Sequence, residues 1–170
     1  VERARFLSTQ AKENAPHYEH KTVGYNYRMS NILAGVGRGQ LGVLDERVAQ
    51  RRQIFEKYRT ALSSLEVIEW QPEPTWGMSN RWLSAFAIGK SSSVNISEFA
   101  HRMNLALIET RPLWKPMHQQ PLFEGAEMFS VEHKPVCEDL FERGVCLPSG
   151  SNMTEEQIDK VVGNVKACFS

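Results

Sequence analysis

Two short stretches of the chain carry side chains whose types and spacing could do chemistry. In GYNYRMSN (24–31), Asn26 and Arg28 alternate with Tyr25 and Tyr27 just ahead of Ser30, a residue suited to cap a helix. Free backbone N–H groups at a helix start, the helix dipole and an arginine fork together favour an anion such as phosphate. A capping turn with exposed aromatics would use the same residues, and the local sequence leaves both readings open. In ETRPLWKPMHQQP (109–121), Arg111, Lys115 and His118 are interleaved with Trp114 and three prolines. A stiff loop of that make-up suits a phosphate-bearing ligand with a flat ring. A rigid surface loop with ordinary charges is the alternative.

A third stretch, AGVGRGQLG (34–42), has glycines 37, 39 and 42 in the G-x-G-x-x-G spacing of a dinucleotide-binding turn. That turn needs a buried strand before it, a helix after it and an acidic residue about 20 positions on. Here YNYRMSNILAGV precedes it without a β-branched run, and FEKYRTAL, still helical in pattern, lies where the second strand should end. The context argues against a cradle for NAD or FAD. Instead Leu41, Leu44, Val48, Phe55, Tyr58 and Leu62 recur at three- and four-residue steps, with Arg51 in the one polar slot. The pattern predicts a helix or helix pair from about Ser30 to Leu62. The glycines then lie within its first part, where each costs about 1 kcal/mol relative to alanine, so they predict a tight packing surface.

The remaining candidate groups assemble no catalytic constellation. His17, His20, His101, His118 and His133 do not fall at metal-ligand spacings with one another, with cysteine or with carboxylates, so no metal site is expected. Cys137, Cys146 and Cys168 are odd in number and form no C-x-x-C pair, as befits reduced thiols in a cytoplasmic protein. The G-x-S-x-G elbow of serine hydrolases is absent.

These clusters must be positioned by a modest set of elements. Leu65–Trp70 is a candidate strand ended by Pro72 and Pro74, and Trp82–Ile88 reads as a half-buried strand. A short helix follows with Ser97 as its predicted cap and Phe99, Met103 and Leu107 on its inner face. ALIETRPLW holds a short strand, and the stretch after it to His133 is long and irregular, as functional or disordered loops are. A helix stopped by Gly144 leads into a strand at Val145–Leu147. The last helix, capped by Asn152 or Thr154, turns Ile158, Val161, Val162 and Val165 inward. Helices segregated to one face of a small sheet predict an α+β fold.

Bulk properties narrow the function classes. The chain has 170 residues, with 20 basic against 20 acidic, so its charge gives no reason to expect nucleic acid or an anionic membrane as partner. No apolar run approaches the roughly 18 residues of a membrane span, and the first residues lack the apolar core of a signal peptide.

At the two basic clusters a family resemblance enters. GYNYRMSNILAGVGRGQLGVLDERVAQRR resembles the pattern that opens the C-terminal region of the DegT/StrS nucleotide-sugar aminotransferases. TRPLWKPMHQQPLF and RGVCLPSGSNMTEEQIDKVV resemble that family's next two signatures, in the same order. The resemblance implies a C-terminal portion of a fold-type I enzyme that uses pyridoxal 5'-phosphate. Residues 1–23 would be a remnant of the preceding large domain, and 24–170 the C-terminal (small) aminotransferase domain, a long helical region plus a small sheet covered by helices. It implies amino transfer, with glutamate as donor, to a 4-keto-6-deoxy nucleotide sugar for surface glycan or pilin glycosylation, as in the bacillosamine-type subgroup. The lysine that would bind the cofactor covalently is expected upstream of Val1, leaving no catalytic residue here and an inactive isolated piece. In a homodimer, Asn26 would reach the cofactor phosphate of the neighbouring subunit. Arg28, Arg111 and His118 would line the sugar-nucleotide groove. Gly42 departs from the family pattern, which carries a charged residue there, and so puts the helix's packing partner in doubt. A non-enzymatic module that binds a sugar nucleotide, or docks a partner helix on its glycine-dotted face, is the alternative.

Overall fold

The computed structural model describes residues 1–130 and 134–170. His133 and the end of the long irregular stretch lie outside the described residues. The chain forms two compact units, Val1–Leu44 and Asp45–Ser170.

In the first unit, α1 (Glu2–Ser8) ends where Gln10 and Ala11 take up left-handed backbone, at φ 68° and 50°. The reversal lets residues 25–27 run alongside the helix end. Tyr25 N donates to Leu7 O at 2.7 Å, Gln10 N to Tyr25 O at 3.0 Å, and Tyr27 N to Ser8 O at 3.1 Å. Gly24 sits where the two stretches touch, and a Cβ there would fall 2.2 Å from the Gln10 carbonyl carbon. Only glycine permits that approach. Helix α2 (Asn31–Leu41) starts at Ser30, whose hydroxyl accepts from Leu33 N at 3.3 Å.

Gly35, Gly37 and Gly39 lie inside α2, in helical backbone rather than in a phosphate-binding turn. A Cβ at any of the three would meet nothing within 4 Å, and no residue of α2 is buried. The tight packing expected of these glycines therefore has no partner among the described residues. Met29, Ile32, Leu33, Val36 and Leu41 are all exposed.

Helix α3 (Leu44–Ala61), which from Asp45 on belongs to the second unit, is a separate helix following the break at Gly42 and Val43. Its expected apolar stripe is buried only in its later part, at Phe55, Tyr58 and Leu62, because the core does not extend to Leu44. The sheet comprises β1 (Ile68–Trp70), β2 (Ser84–Ile88), β3 (Arg111–Pro112) and β4 (Gly144–Leu147), in the order β1-β2-β4-β3 with every pairing antiparallel. Between strands come α4 (Ile96–Leu105), two 3-10 turns (Met117–Gln119 and Pro121–Phe123) and α5 (Val136–Arg143). Helix α6 (Glu155–Cys168) closes the unit. Among the described residues no helix is long and apolar enough to cross a membrane.

Register gives the sheet two unlike faces. Ile68 pairs with Ile88 and Phe86 with Val145; these side chains, with Leu147, lie in the hydrophobic core. The alternate positions form the rows Glu69–Ala87–Gly144 and Ala85–Cys146–Arg111 on the opposite face. All five residues of β2 are buried, where a half-buried strand was expected. At Gly144 a side chain would strike Leu113 Cδ1 at 2.2 Å and Leu140 O at 2.4 Å, so β4 can follow α5 without a loop only because glycine stands there.

Aromatic rings run edge to face through the core, Phe55 to Trp70 at 5.4 Å, Trp70 to Phe86 at 5.5 Å and Phe86 to Phe99 at 5.8 Å. Helices α4 and α6 cover the core face, contributing Phe99, Met103, Ile158, Val161, Val162 and Val165. Helix α4 is capped by Asn95, whose Oδ1 accepts from Glu98 N at 2.9 Å, and not by Ser97. Leu107, expected on the inner face of this helix, lies beyond its end with φ 58° and is exposed. Thr154 caps α6 in a reciprocal capping box with Gln157. Phe99→Ala removes a fully buried ring that joins this stack to helix α4. It should lower stability by about 3–5 kcal/mol in urea unfolding; a loss under 1 kcal/mol would contradict the packing described.

Candidate active site

Asn26 is held by its backbone and free at its side chain. Its segment is locked against residues 7–10, Asn26 itself pairing with Thr9, and Tyr25 stacks on Tyr27 at 5.0 Å. The Asn26 amide makes no hydrogen bond among the described residues and faces an open depression lined also by Tyr18, His20 and Lys21. His20 Nδ1 lies 2.9 Å from Gln10 O, which leaves Nε2 outward, and Lys21 pairs loosely with Glu19 at 3.2 Å. Arg28 is exposed and pairs with no carboxylate among the described residues. It precedes a helix with no acidic residue in its first turn. An amide donor, an ammonium and a helix start together suit an oxyanion with several acceptor oxygens.

The second cluster lies in the other unit. Arg111 stands on β3, opposite Cys146, with its side chain exposed and paired with Glu109. His118 lies in the 3-10 turn after the Pro-rich loop, its Nε2 2.7 Å from Glu138 Oε1 on α5. Both partners are about one-fifth exposed, so the contact is sheltered and orients the ring. Lys115 is exposed and unpaired among the described residues. Sequence reasoning missed Glu138, because 20 residues separate it from His118 and only the fold joins them.

A further arrangement went unseen in the sequence. Glu73 receives Arg52 of α3 in a two-pronged contact at 2.7 and 3.1 Å, and accepts from Ser79 N at 2.5 Å. Arg52 Nη1 also donates to Ser79 O at 2.6 Å. Arg81, almost wholly buried at φ 48°, lies over the Phe55 ring at 3.9 Å, donates to Gln71 O and approaches Glu73 at 3.5 Å. The Arg52 hydrogen bonds, then the Ser79 N–H, hold the Glu73 carboxyl down at about 2. This knot fixes residues 79–82. Trp82 N donates to Asn80 Oδ1 at 3.0 Å, and Arg51, the polar slot of the helical stripe, donates to Trp82 O at 2.6 Å and Ser149 O at 2.9 Å. Burial pushes the Cys146 thiol up, so it stands protonated on the sheet.

The chain thus combines a small antiparallel sheet backed by helices with basic side chains gathered at residues 20–28 and, in the other unit, at 111–118. Residues 1–166 match the model of the DegT/DnrJ/EryC1/StrS aminotransferase family, and the chain belongs to that family. It is 52% identical over 163 residues to the Bacillus subtilis protein named "Putative pyridoxal phosphate-dependent aminotransferase EpsN", a match covering 95% of this chain and 42% of that one. It is 29% identical to GDP-perosamine synthase of Escherichia coli O157:H7, over 90% of this chain and 40% of the relative. The fold is similar to that of the aminotransferase TlmJ from Streptoalloteichus hindustanus, with TM-score 0.81 at 24% identity, covering 98% of this chain and 44% of TlmJ. The chain thus spans about two-fifths of the length of the curated relatives it matches.

These matches correct the expectation of a separable C-terminal portion. The family match begins at residue 1 and the likeness to TlmJ takes in 98% of the chain, α1 and α2 included, so family character is not confined to a small domain. The fold is accordingly a mixed α/β arrangement of the family along nearly the whole chain, in place of an α+β small domain with a helical extension. The function expected of a C-terminal fragment is corrected in the same way.

Because the Glu73 carboxyl is held below its unfolded value, it adds stability that is complete above the unfolded pKa and fades as pH falls toward about 2. Glu73→Gln should therefore be less stable than the unchanged protein at pH 7, the gap closing as pH is lowered from about 5 to about 2. Chemical denaturation at a series of pH values measures this. A gap independent of pH would contradict the knot.

Proposed function

We propose that the protein is a pyridoxal-phosphate-dependent aminotransferase acting on a nucleotide-linked sugar. The observation that carries this is the free Asn26 amide, set on a locked backbone beside Lys21 and just ahead of the start of α2, in a chain of this family. The names of EpsN and of the GDP-perosamine synthases support the cofactor and the sugar-nucleotide substrate respectively. The donor set fits the cofactor's phosphate: a neutral amide, an ammonium and unpaired helical N–H groups can each give a hydrogen bond to a phosphate oxygen. When bound, the cofactor supplies the electron sink through which an amino group passes from donor to acceptor.

This chain's own residues bind and orient. Asn26 fixes the cofactor phosphate, across a homodimer as the family resemblance suggests; the exposed apolar side chains of α2 suit such an interface. Arg111 neutralises charge on the diphosphate of the substrate, and Arg28 offers a cation to an anionic group of a bound ligand. His118, oriented by Glu138, presents Nδ1 as a single hydrogen-bonding group to the sugar nucleotide. Glutamate is the amino donor we favour, and the cytoplasm, where activated sugars are made, the compartment.

Expressed as the natural gene product and supplied with pyridoxal phosphate, glutamate and a keto nucleotide sugar, the protein should release 2-oxoglutarate. No release at saturating cofactor would overturn the proposal. Asn26→Ala should weaken cofactor binding at least about tenfold in an absorbance titration, since one hydrogen bond to a charged group contributes roughly 1.5–3 kcal/mol. Unchanged affinity would remove Asn26 from the phosphate site.

A further inference from the structure

The sheet face turned away from the core bears a cavity of about 400 Å³, a volume in the range of small-ligand sites. Its floor is made of small side chains, Ala85 and Ala87 of β2 and Cys146 of β4. Its walls include Trp82 and Trp114, whose rings stand 6.1 Å apart at a tilt of 35°. Each indole is about 60% exposed although its surroundings are apolar. Asn80 supplies a polar edge. Its Oδ1 is occupied by Trp82 N, so its Nδ2 hydrogens remain for a ligand acceptor.

Two features make this a built site. The rim, residues 79–82, is fixed by the Glu73 knot and by Arg51, so its geometry exists before any ligand arrives. Moreover, Arg111 occupies the same row of the sheet as two floor residues, in the order Ala85–Cys146–Arg111, and therefore projects its guanidinium from the same face. An apolar slot with an amide at its edge, and on the same sheet face a guanidinium that can exchange Glu109 for a phosphate, matches one kind of ligand, a heteroaromatic ring carrying a phosphate.

We propose that this cavity receives the base of a nucleotide, stacked against Trp114 and Trp82 and hydrogen-bonded by Asn80, with Arg111 toward the phosphate. The inference rests on the proposed function, because it assigns the base of the nucleotide-linked sugar to this cavity. It adds Trp82, Trp114 and Asn80 as residues that set which nucleotide is accepted. Trp114 contributes ring area to any base, while the single amide edge of Asn80 discriminates among bases by the position of their acceptors.

Titration of the natural gene product with UMP, GMP, UDP-glucose and glucose 1-phosphate, followed by tryptophan fluorescence and calorimetry, tests this. At least one of UMP and GMP should bind and quench fluorescence, and glucose 1-phosphate should leave fluorescence unchanged. Trp114→Ala, an exposed site that leaves the core intact, should weaken the nucleotides that bind by roughly five- to a hundredfold. Ala85→Leu, which fills the floor, should weaken them as well. If UDP-glucose binds with the same affinity to both variants and to the unchanged protein, the base lies elsewhere and this inference fails while the proposed function stands. If no nucleotide or nucleotide sugar binds at all, both fail.

Discussion

The structure depends on a sheet whose two faces are made unlike by residue size. On one face Ile68, Phe86, Ile88, Val145 and Leu147 meet the helices and form the core. On the other, Ala85, Ala87, Gly144 and Cys146 are too small to cover the strands themselves. Burying apolar surface on the first face stabilises the unit at roughly 25 cal/mol per Å². The second face contributes less to stability because space is left there, rimmed by Trp82 and Trp114. The same four strands therefore build the core on one side and leave, on the other, the cavity we assign to a nucleotide base.

Such a cavity needs a rigid edge, and the edge is a loop. Residues 71–83 are rich in turn formers, with Pro72, Pro74, Gly77 and Asn80, yet their conformation is set from outside by Arg52 and Arg51 of α3. A carboxylate with two arginines and a backbone N–H loses little by being partly withdrawn from water, since each charge is compensated where it stands. The left-handed backbone of Arg81 is tolerated because its guanidinium is held by Gln71 O and the Phe55 ring.

Local signals were legible in the sequence. Thr154 and Gln157 are three residues apart and form the capping box; Ser30 caps α2; Gly144 ends α5 and opens β4. Competing signals are decided only by the fold. Asn95 and Ser97 are both good caps two positions apart, and Asn95 prevails by accepting from Glu98 N. Leu65 to Val67 have strand-like side chains, but the turn bonds Leu65 N to Leu62 O and Ile68 N to Leu65 O delay β1 to Ile68. What pattern reading cannot supply is contact between distant positions. His118 with Glu138, Arg52 with Glu73 and the row Ala85–Cys146–Arg111 arise only when the chain is folded. The family signatures located Asn26, Arg28, Arg111 and His118 as candidates, while the side chains that orient His118 and shape the cavity carry no local signature.

The central claim is that two separate donor sets in this chain exist to hold phosphorylated ligands. A crystal structure of the natural gene product, grown with pyridoxal phosphate and a nucleotide sugar, tests it most directly. Phosphate density should lie within hydrogen-bond distance of Asn26 Nδ2, and nucleotide density against Trp114 with its phosphates toward Arg111. Fully occupied ligands that touch neither Asn26 nor Arg111 would contradict it.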